Sequence, residues 1–284
     1  MNRLAGCAVA AAVACAAAAP AFAGSAATAA QGVGCAAPPA LTVLGPALPR
    51  SAARIERDAA LTIVAVGSSS TLGVGASSPA LSYPNQLQAA LTQRFPRADI
   101  RVINRGRGGE DAPEELARLD RDVVAEHPDL VIWQLGTNAV LRRDDLSADG
   151  ERIARGIAEL KSGGSDVVLM DLQYAPRVIA KAAYPTMEQL IAEAATRDRV
   201  GLFRRFEIMR YWRDAEELDA PRMIGPDGLH MNDAGYRCLA VDLARALATN
   251  WLTTVSAPPG GGAVAVAGMT ATRPLGAADA DAAR

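Results

Sequence analysis

Basic clusters, aromatic side chains and histidines are all scarce in this sequence. Its 284 residues carry a formal net charge of −2 and no block of Lys or Arg, which argues against a nucleic-acid-binding protein. The one loose basic group is interpreted as a solvated face and consists of Arg204, Arg205, Arg210 and Arg213. Aromatic residues make up 4% of the chain, so Ala and Val must supply most of the core. The length suits one ordinary α/β domain with extensions, or at most two small domains.

A long membrane-spanning run is missing as well. The N-terminal apolar stretch, about residues 4–19, is short for a span and follows a short basic start at Asn2-Arg3. It is followed by Ala21-Phe22-Ala23, a small-x-small pattern typical of a signal-peptidase site. We therefore interpret residues 1–23 as a secretory signal peptide. We expect the mature protein to be exported to the periplasm or outside the cell, without a stable membrane span.

Export decides how the cysteines are interpreted. Cys7 and Cys15 would leave with the signal peptide, so Cys35 and Cys238 would remain in the mature chain. In an oxidising compartment such an even pair can form a disulfide. A Cys35–Cys238 bridge would tie the N-terminal extension to the last helix. The alternative is two unpaired thiols, with Cys238 buried in its helix, and the sequence leaves both open.

Three segments of different composition follow the signal peptide. Residues 24–60 are rich in Ala and Pro without a clear period, and are interpreted as an extension. Residues 61–252 alternate short apolar runs with helix-like stretches, which is the spacing of βαβ units. Residues 253–284 are rich in Ala, Gly and Pro and are expected to be a disordered tail.

The apolar runs predict a parallel sheet that is covered by helices on both faces. The predicted strands are Thr62–Val66, Ile100–Ile103, Leu130–Gln134 and Val167–Asp171, with a shorter one at Val200–Phe203. The predicted helices are Tyr83–Arg94, Ala112–Glu126, Ala148–Lys161, Thr186–Arg197 and a last helix, capped by Asn232 or Asp233, that runs to about Ala248. The predicted fold class is α/β, with a single domain around a central parallel sheet.

Small and polar clusters directly follow the predicted strands. In an open parallel sheet the ligand lies beyond the carboxyl ends of the strands, so these clusters should share one edge. They are Gly67-Ser68-Ser69-Ser70-Thr71, Asn104-Arg105-Gly106-Arg107-Gly108-Gly109, Leu135-Gly136-Thr137-Asn138 and, before the last helix, Asp227-Gly228-Leu229-His230. Four such clusters at one edge predict a functional site there.

The chain has two histidines, which limits the choice of a general base for a serine. His127 lies in a helix-to-strand connection at the opposite edge and is interpreted as a surface residue. His230 follows Asp227 by three residues, across a turn that contains Gly228. A carboxylate at that spacing can accept a hydrogen bond from the far ring nitrogen and stabilise the protonated imidazole. Together with the serine turn, this spacing favours catalysis over a plain helix entry.

Attack of a serine on an ester carbonyl also requires donors for the negative charge that develops. The candidates are the backbone N–H groups of Ser69 and Gly109 and the side-chain amide of Asn138. A glycine lets the backbone approach a substrate closely, and an amide donates hydrogen bonds without a charge to desolvate. The alternatives, a flexible turn for Gly109 and a helix cap for Asn138, stay open from these residues alone.

A nucleotide-binding domain is the main alternative from a different class of protein. Residues 67–75 are a candidate phosphate loop, and Arg105 and Arg107 are candidate contacts to a 2′-phosphate. The loop lacks both the GxGxxG and the GxxxxGK[ST] pattern. This interpretation also leaves the Asp227 and His230 pair without a role, so we consider it the weaker one.

The four clusters resemble the ordered sequence blocks of the GDSL, or SGNH, hydrolases. The resemblance covers about residues 61–250. It implies a flavodoxin-like three-layer fold and ester hydrolysis through an acyl-enzyme, with neither a metal nor an organic cofactor. By position it implies that Ser69 is the nucleophile, His230 the base and Asp227 the acid that orients it. The oxyanion donors that it implies are Ser69, Gly109 and Asn138.

Two positions depart from the family pattern. Ser68 stands where the family has an aspartate before the nucleophile, which puts the geometry of the turn in question more than the activity. Gly108 stands in place of the serine that often precedes the oxyanion glycine. The pattern selects only Ser69 of the three consecutive serines, so we expect Ser68 and Ser70 to be turn or packing residues.

These observations predict an exported serine esterase that hydrolyses acyl esters. A cell-envelope glycan O-acetyltransferase or deacetylase would use the same residues. The sequence does not distinguish these enzymes from an esterase, because it does not identify the residues of an acceptor site. A catalytically silent binding module is disfavoured by the intact Ser69, Asp227 and His230. The expected partner is a small-molecule, glycan or lipid ester. The acyl and alcohol groups of the substrate and the oligomeric state stay undetermined.

Overall fold

The computed structural model describes residues 35–142, 145–215 and 220–256. All of these residues belong to the unit Gly34–Arg284. The predicted signal peptide and the predicted tail from residue 257 onward lie outside the described residues.

A parallel sheet of five strands lies at the centre of the fold, as the sequence predicts. Its strands are β1 Leu61–Gly67, β2 Ile100–Gly106, β3 Leu130–Gln134, β4 Asp166–Met170 and β5 Gly201–Phe203. β1 and β2 run further than predicted, because their pairing continues to the register Gly67 with Gly106. The α/β fold class is therefore confirmed.

Helices cover this sheet and provide the connections between its parallel strands. The α-helices are α1 Pro49–Glu56, α2 Ser69–Leu72, α3 Tyr83–Arg94, α4 Ala112–Leu116, α5 Leu119–Asp122, α6 Thr137–Arg142, α7 Asp149–Ser162, α8 Pro176–Ile179, α9 Tyr184–Asp198, α10 Arg205–Ala215, α11 Ala220–Met223 and α12 Asp233–Ser256. Short 3₁₀ helices cover Pro39–Thr42, Pro79–Leu81 and Val124–Glu126. No described helix is long and apolar enough to cross a membrane.

The strand order β2-β1-β3-β4-β5 reverses direction between β1 and β3. This is the flavodoxin-like order, in which ligands bind beyond the carboxyl ends of the strands at the point of reversal. The serine turn follows β1, and the Gly136-Thr137-Asn138 cluster follows β3. The topology thus brings two of the four predicted clusters to the switch point.

Helix α7 shows how the sequence pattern builds the layers. Its buried residues Ile153, Ile157 and Leu160 recur at intervals of four and three, which puts them on one helix face. Gly156 on the same face lies against the indole of Trp133 in β3, which is fully buried. The Trp133 Nε1–H donates to Glu115 Oε2 in α4 at 2.7 Å, so α4 is held to the sheet by a buried hydrogen bond.

The predicted helix Ala112–Glu126 is wrong as one element, because the structure divides it into α4, α5 and a 3₁₀ turn. The break lies near Arg118, whose backbone leaves the helical region at φ −130° and ψ 1°. Its guanidinium is buried and bonds Glu110 Oε2 and the Gly67 carbonyl. A buried cation needs such partners, and the helix is interrupted where this side chain turns towards them.

Part of the segment predicted as an extension packs onto the fold. Leu44 and Leu48 are buried, and the Leu44 carbonyl accepts a hydrogen bond from Leu202 N in β5 at 2.9 Å. Helix α1 packs against α12. The α1 residue Ser51 accepts a hydrogen bond at its Oγ from Trp251 Nε1 of α12, at 2.8 Å. The sequence showed no clear period here because the elements are short, a 3₁₀ helix of four residues and a helix of eight, each beginning at a proline.

Helix α12 is longer than predicted and runs to Ser256. The reason is Trp251, which is buried beyond the predicted end and anchors the last turns against α1. Near its start, Cys238 is fully buried and forms a disulfide with Cys35, with their Cα atoms 4.8 Å apart. The N-terminal segment and the last helix are thereby joined across 203 residues of chain.

Candidate active site

The three consecutive serines have different surroundings in the structure. Ser68 is buried, and both its N–H and its hydroxyl donate to Gln134 Oε1, each at 3.1 Å. Ser70 is buried on the other side, where its hydroxyl donates to Gln173 Oε1 at 3.4 Å. Ser69 lies between them at the first position of α2 and has a different partner. Its Oγ is 2.8 Å from Nε2 of His230.

His230 connects Ser69 to Asp227 through its two ring nitrogens. Nδ1 of the imidazole lies 2.5 Å from Asp227 Oδ2. With the Nδ1 proton on the carboxylate side, Nε2 is left as an acceptor for the Ser69 hydroxyl. The structure therefore brings Ser69, His230 and Asp227 into one continuous chain of hydrogen bonds, although the sequence places Ser69 far from the other two.

Asp227 is held as a carboxylate by several donors. Its Oδ1 accepts the backbone N–H groups of Leu229 and His230, each at 3.0 Å, in addition to the bond from the imidazole. Partial burial raises its pKa, but the hydrogen bonds from His230 and from these backbone groups outweigh burial and lower the pKa below its ordinary value. Asp227 is thus ionised at neutral pH and available to stabilise a protonated imidazole.

The loop after β2, residues 107–111, lies beside the serine turn and is held from two sides. Arg107 N donates to the Gly67 carbonyl at 2.9 Å, which continues the pairing of β2 with β1. Arg118 bonds both Glu110 Oε2, at 2.6 Å, and the Gly67 carbonyl, at 3.4 Å. Glu110 is therefore engaged in a largely buried ion pair, and Arg118 bonds this loop to the end of β1.

Gly109 and Asn138 meet at this loop. Asn138 Nδ2 donates to the Glu110 carbonyl at 2.7 Å, directly after Gly109. Gly109 has φ +81°, a conformation that favours glycine. The N–H groups of Ser69 and Gly109 donate no hydrogen bond to any part of the chain that the structure describes. Two backbone donors and the second N–H of the Asn138 amide thus remain for a ligand.

The loop that follows α2 lies against the histidine. Gly75 has φ +95°, and a Cβ there would come within 2.3 Å of the Met231 carbonyl and 3.1 Å of His230 Cβ, so only glycine fits. The same loop is tied to the start of α12, where Asp233 accepts from Ser77 N and Oγ at 2.7 Å each. Of the two predicted helix caps, Asn232 is the one whose side chain accepts a backbone N–H from within α12, that of Gly235.

Sequence reasoning missed the two glutamines behind the site. Gln134 Oε1 accepts from Ser68 and also from Thr71 Oγ1, at 3.2 Å, so it holds both ends of the serine turn. Gln173 bonds Ser70, Thr137 and Leu229. Each glutamine lies at or just after the carboxyl end of a buried strand. For Gln134, which ends an apolar run at that edge, this position was the available signal, whereas Gln173 lies three residues beyond its strand.

Two sequence interpretations outside the site have different outcomes. His127 is exposed in the turn before β3, at the opposite end of the sheet from Ser69. The interpretation of Arg205 as part of a solvated face is wrong, because this residue is fully buried and donates to the Asp171 carbonyl at 2.5 Å. Within the described ranges, no group of three or more His, Cys, Asp or Glu side chains is arranged to hold a metal ion.

Comparison with known proteins identifies the family. Residues 34–252 match the model of the Non-GDSL lipase-like family, which is more than half of the chain. The chain belongs to this family. Membership in the Non-GDSL lipase-like family confirms the expected resemblance to GDSL, or SGNH, esterases, and the matched residues include all four sequence clusters.

Among curated relatives of this family member, two are named esterases. An arylesterase of Vibrio mimicus is 32% identical over 95 residues, which is 34% of this chain and 46% of the relative. An acetylxylan esterase of Geobacillus stearothermophilus is 24% identical over 198 residues, which is 66% of this chain and 86% of the relative. These relatives, together with the family match, support a hydrolase that acts on ester bonds.

Solved structures with the same fold include two carbohydrate esterases. A two-domain esterase (CEX) active on acetylated mannans has a TM-score of 0.62 at 22% identity, covering 73% of this chain and 55% of that one. The acetylxylan esterase Axe2 of Geobacillus stearothermophilus has a TM-score of 0.54 at 21% identity, covering 67% and 95%. The chain thus spans about half the length of the two-domain esterase and of the arylesterase. The likeness establishes the fold of this Non-GDSL lipase-like protein.

Proposed function

We propose that this protein is an exported serine esterase that works through an acyl-enzyme. The observation that carries this proposal is the chain of contacts from Ser69 Oγ to His230 Nε2, at 2.8 Å, and from His230 Nδ1 to Asp227 Oδ2, at 2.5 Å. A nucleophile, a base and an acid that orients the base are the groups that acyl transfer requires.

In the proposed first step, Ser69 Oγ attacks the ester carbonyl while His230 Nε2 takes the hydroxyl proton. The negative charge then develops on the carbonyl oxygen, where the N–H groups of Ser69 and Gly109 and the Asn138 amide act as donors. His230 passes its proton to the leaving alcohol, and the acyl group stays on Ser69. In the second step His230 takes a proton from water, and the resulting hydroxide attacks the acyl-enzyme. The carboxylic acid leaves as Ser69 regains its proton.

For the substrate we propose acetyl esters of polysaccharides. This choice is supported by the names of the relatives, an acetylxylan esterase and an esterase active on acetylated mannans. Export is supported by the signal-peptide pattern of residues 1–23 and by the disulfide between Cys35 and Cys238, since disulfides persist in oxidising compartments.

The deciding experiment measures acetate release by the purified mature chain. The substrates are p-nitrophenyl acetate, acetylated xylan and acetylated mannan. We expect hydrolysis of all three, loss of more than about 10³-fold in kcat for Ser69→Ala, and an acetyl adduct on Ser69 in rapidly quenched samples. A Ser69→Ala variant as active as the wild type would refute the mechanism. Activity confined to the p-nitrophenyl ester would refute the glycan substrate alone.

A further inference from the structure

Gln173 lies behind the candidate active site, three residues after the end of β4, and is 1% exposed. We propose that Gln173 is a positioning residue: its single side-chain amide sets the relative placement of the nucleophile, an oxyanion donor and the base. This inference rests on the serine-esterase function proposed above. It adds to that function a buried group that touches neither substrate nor reacting atoms.

The Gln173 amide bonds one neighbour of each of three site residues. Its Oε1 accepts from Ser70 Oγ at 3.4 Å and from Thr137 Oγ1 at 2.9 Å, and its Nε2 donates to the Leu229 carbonyl at 3.4 Å. Ser70 directly follows the proposed nucleophile, Thr137 directly precedes the proposed oxyanion asparagine, and Leu229 directly precedes the proposed base. Three loops from distant parts of the chain therefore bond the same side-chain amide.

The chemistry of these three partners matches an amide and no other side chain of that length. Two hydroxyl donors need an acceptor with two lone pairs, and one backbone carbonyl needs an N–H donor. A carboxylate would accept both hydroxyls but could not donate to Leu229 while ionised. The Thr137 bond has ordinary length and the other two are long, so they hold more weakly. Removing the whole amide should therefore cost more than removing any one partner.

The backbone that carries this amide is itself fixed. The Asp171 carbonyl accepts from Arg205 Nη2 at 2.5 Å, and Leu172 N donates to Glu188 Oε1 at 3.1 Å. Burial raises the pKa of the Asp171 and Glu188 side chains, and the charge of Asp171 raises the pKa of Glu188 further. Their shared hydrogen bond joins helix α9 to the end of β4. A side-chain amide on such a firmly held backbone can set the distances between the loops that it bonds.

The test replaces the amide by an apolar chain of similar length, Gln173→Met. A displacement of about 1 Å at a reacting group can cost about 10²-fold in rate. We therefore expect kcat to fall by about 10- to 100-fold with KM changed less than about threefold, because substrate contacts stay in place. The rate of covalent labelling by a fluorophosphonate probe should fall in parallel, since phosphonylation of Ser69 depends on the same base and oxyanion donors.

The matched control is Gln88→Met in α3. Gln88 Oε1 accepts the backbone N–H of Val102 in β2 at 2.7 Å, and it bonds none of the active-site loops within the described ranges. This variant loses a hydrogen bond that glutamine makes to the sheet, so it should lose stability while kcat stays within about twofold of the wild type. A general loss of packing would lower stability in both variants, whereas only Gln173→Met should lose kcat.

A second variant, Gln173→Glu, separates positioning from packing by its pH dependence. While protonated, the new carboxyl group can still donate to Leu229 and accept from Thr137. Once ionised, it can no longer donate to the Leu229 carbonyl and repels it instead. We expect the ratio of variant to wild-type kcat to fall as pH rises, while the ratio for Gln173→Met stays constant. Taking the ratio at each pH removes any titration that the variant and the wild type share.

Three outcomes overturn the inference: a folded Gln173→Met enzyme with kcat within threefold of the wild type, an unchanged labelling rate, or a pH-independent Gln173→Glu ratio. If Gln173→Met does not fold, the double variant Ser70→Ala/Thr137→Val decides, with at least a fivefold loss of kcat expected and none overturning the proposal. A wild-type chain without esterase activity, or an active Ser69→Ala variant, would refute the proposed function instead.

Discussion

His230 Nε2 lies 2.8 Å from Ser69 Oγ, although 161 residues separate them along the chain. The contact exists because the end of β1 and the start of α12 lie at the same edge of the sheet. Ser69 begins α2 directly after β1, and His230 comes just before α12. The Gly75 backbone packs against the histidine, and the Asp233 to Ser77 bonds hold the two segments together.

The first prediction concerns the assignment of roles among the three serines. Ser68→Ala and Ser70→Ala each remove one hydroxyl that donates to a buried glutamine. Each loss should cost about 0.5–1.5 kcal/mol of stability and leave at least a fifth of kcat, because the Ser69 hydroxyl is untouched. Steady-state kinetics with p-nitrophenyl acetate checks this. If either variant lost all turnover while folded, the nucleophile would be misassigned by one position.

The second prediction compares Asp227→Asn with His230→Ala. The asparagine variant keeps the imidazole beside Ser69 and loses only its orientation and the nearby charge, and the Asp227 side chain is 43% exposed. We expect it to retain about 10- to 100-fold more kcat than His230→Ala. Both kcat values are measured at saturating substrate, with folding checked by circular dichroism. Equal losses in two folded variants would contradict this division of roles.

The third prediction concerns the oxyanion donors. Asn138→Ala removes an amide that bonds the Glu110 carbonyl and has one N–H left over. Loss of one donor to a developing oxyanion costs about 10²–10³ in kcat. KM should change little, because the donor acts mainly in the transition state. A fall in kcat below threefold would show that Asn138 only holds the loop through its bond to the Glu110 carbonyl.

The fourth prediction concerns pH and stability. Burial raises the pKa of Glu115 from 4.5 to about 8, against a smaller opposing effect of its hydrogen bond from Trp133. The folded state thus binds a proton more tightly than the unfolded state. Its contribution to stability is full below pH 4.5 and is lost as pH rises towards 8, at about 1.4 kcal/mol per pH unit.

Glu115→Gln removes this titration and keeps an oxygen that can accept from Trp133 Nε1. The variant should gain stability over the wild type as pH increases from 5 to 8, measured by urea unfolding. Glu56→Gln is the matched control, because it makes the same change of charge at an exposed position at the end of α1. Its effect should stay within about 0.5 kcal/mol at every pH. A constant difference for Glu115→Gln would contradict the prediction.

The fifth prediction concerns the disulfide between Cys35 and Cys238. It closes a loop of 203 residues, so replacing both cysteines should cost about 2–4 kcal/mol in the free energy of unfolding. Cys35→Ser/Cys238→Ala keeps a small apolar residue at the buried position 238. The free energy of unfolding should be highest for the oxidised wild type. The reduced wild type should follow, and the variant should equal it or be lower. An oxidised wild type no more stable than the variant would contradict this.

The sequence by itself determined the five-stranded sheet, the helices α3, α7, α9 and most of α12, and the polar clusters at the carboxyl edge of the sheet. Buried strands such as β3 are continuous apolar runs, and α3 has the bounds that its pattern predicts. The Asp227 to His230 spacing is local, so the sequence already contains that half of the arrangement. These features depend on neighbours within a few residues, which is the range over which a sequence pattern carries information.

The tertiary structure alone decided which groups meet. The predicted helix is interrupted at Arg118, where the buried guanidinium bonds Glu110 and the Gly67 carbonyl. Part of the N-terminal extension packs onto α12. Ser68 and Ser70 bond buried glutamines, and of the three serines only Ser69 contacts His230. Gln173 bonds three loops distant in sequence, and such contacts follow from how strands are ordered in a sheet, which no local pattern encodes.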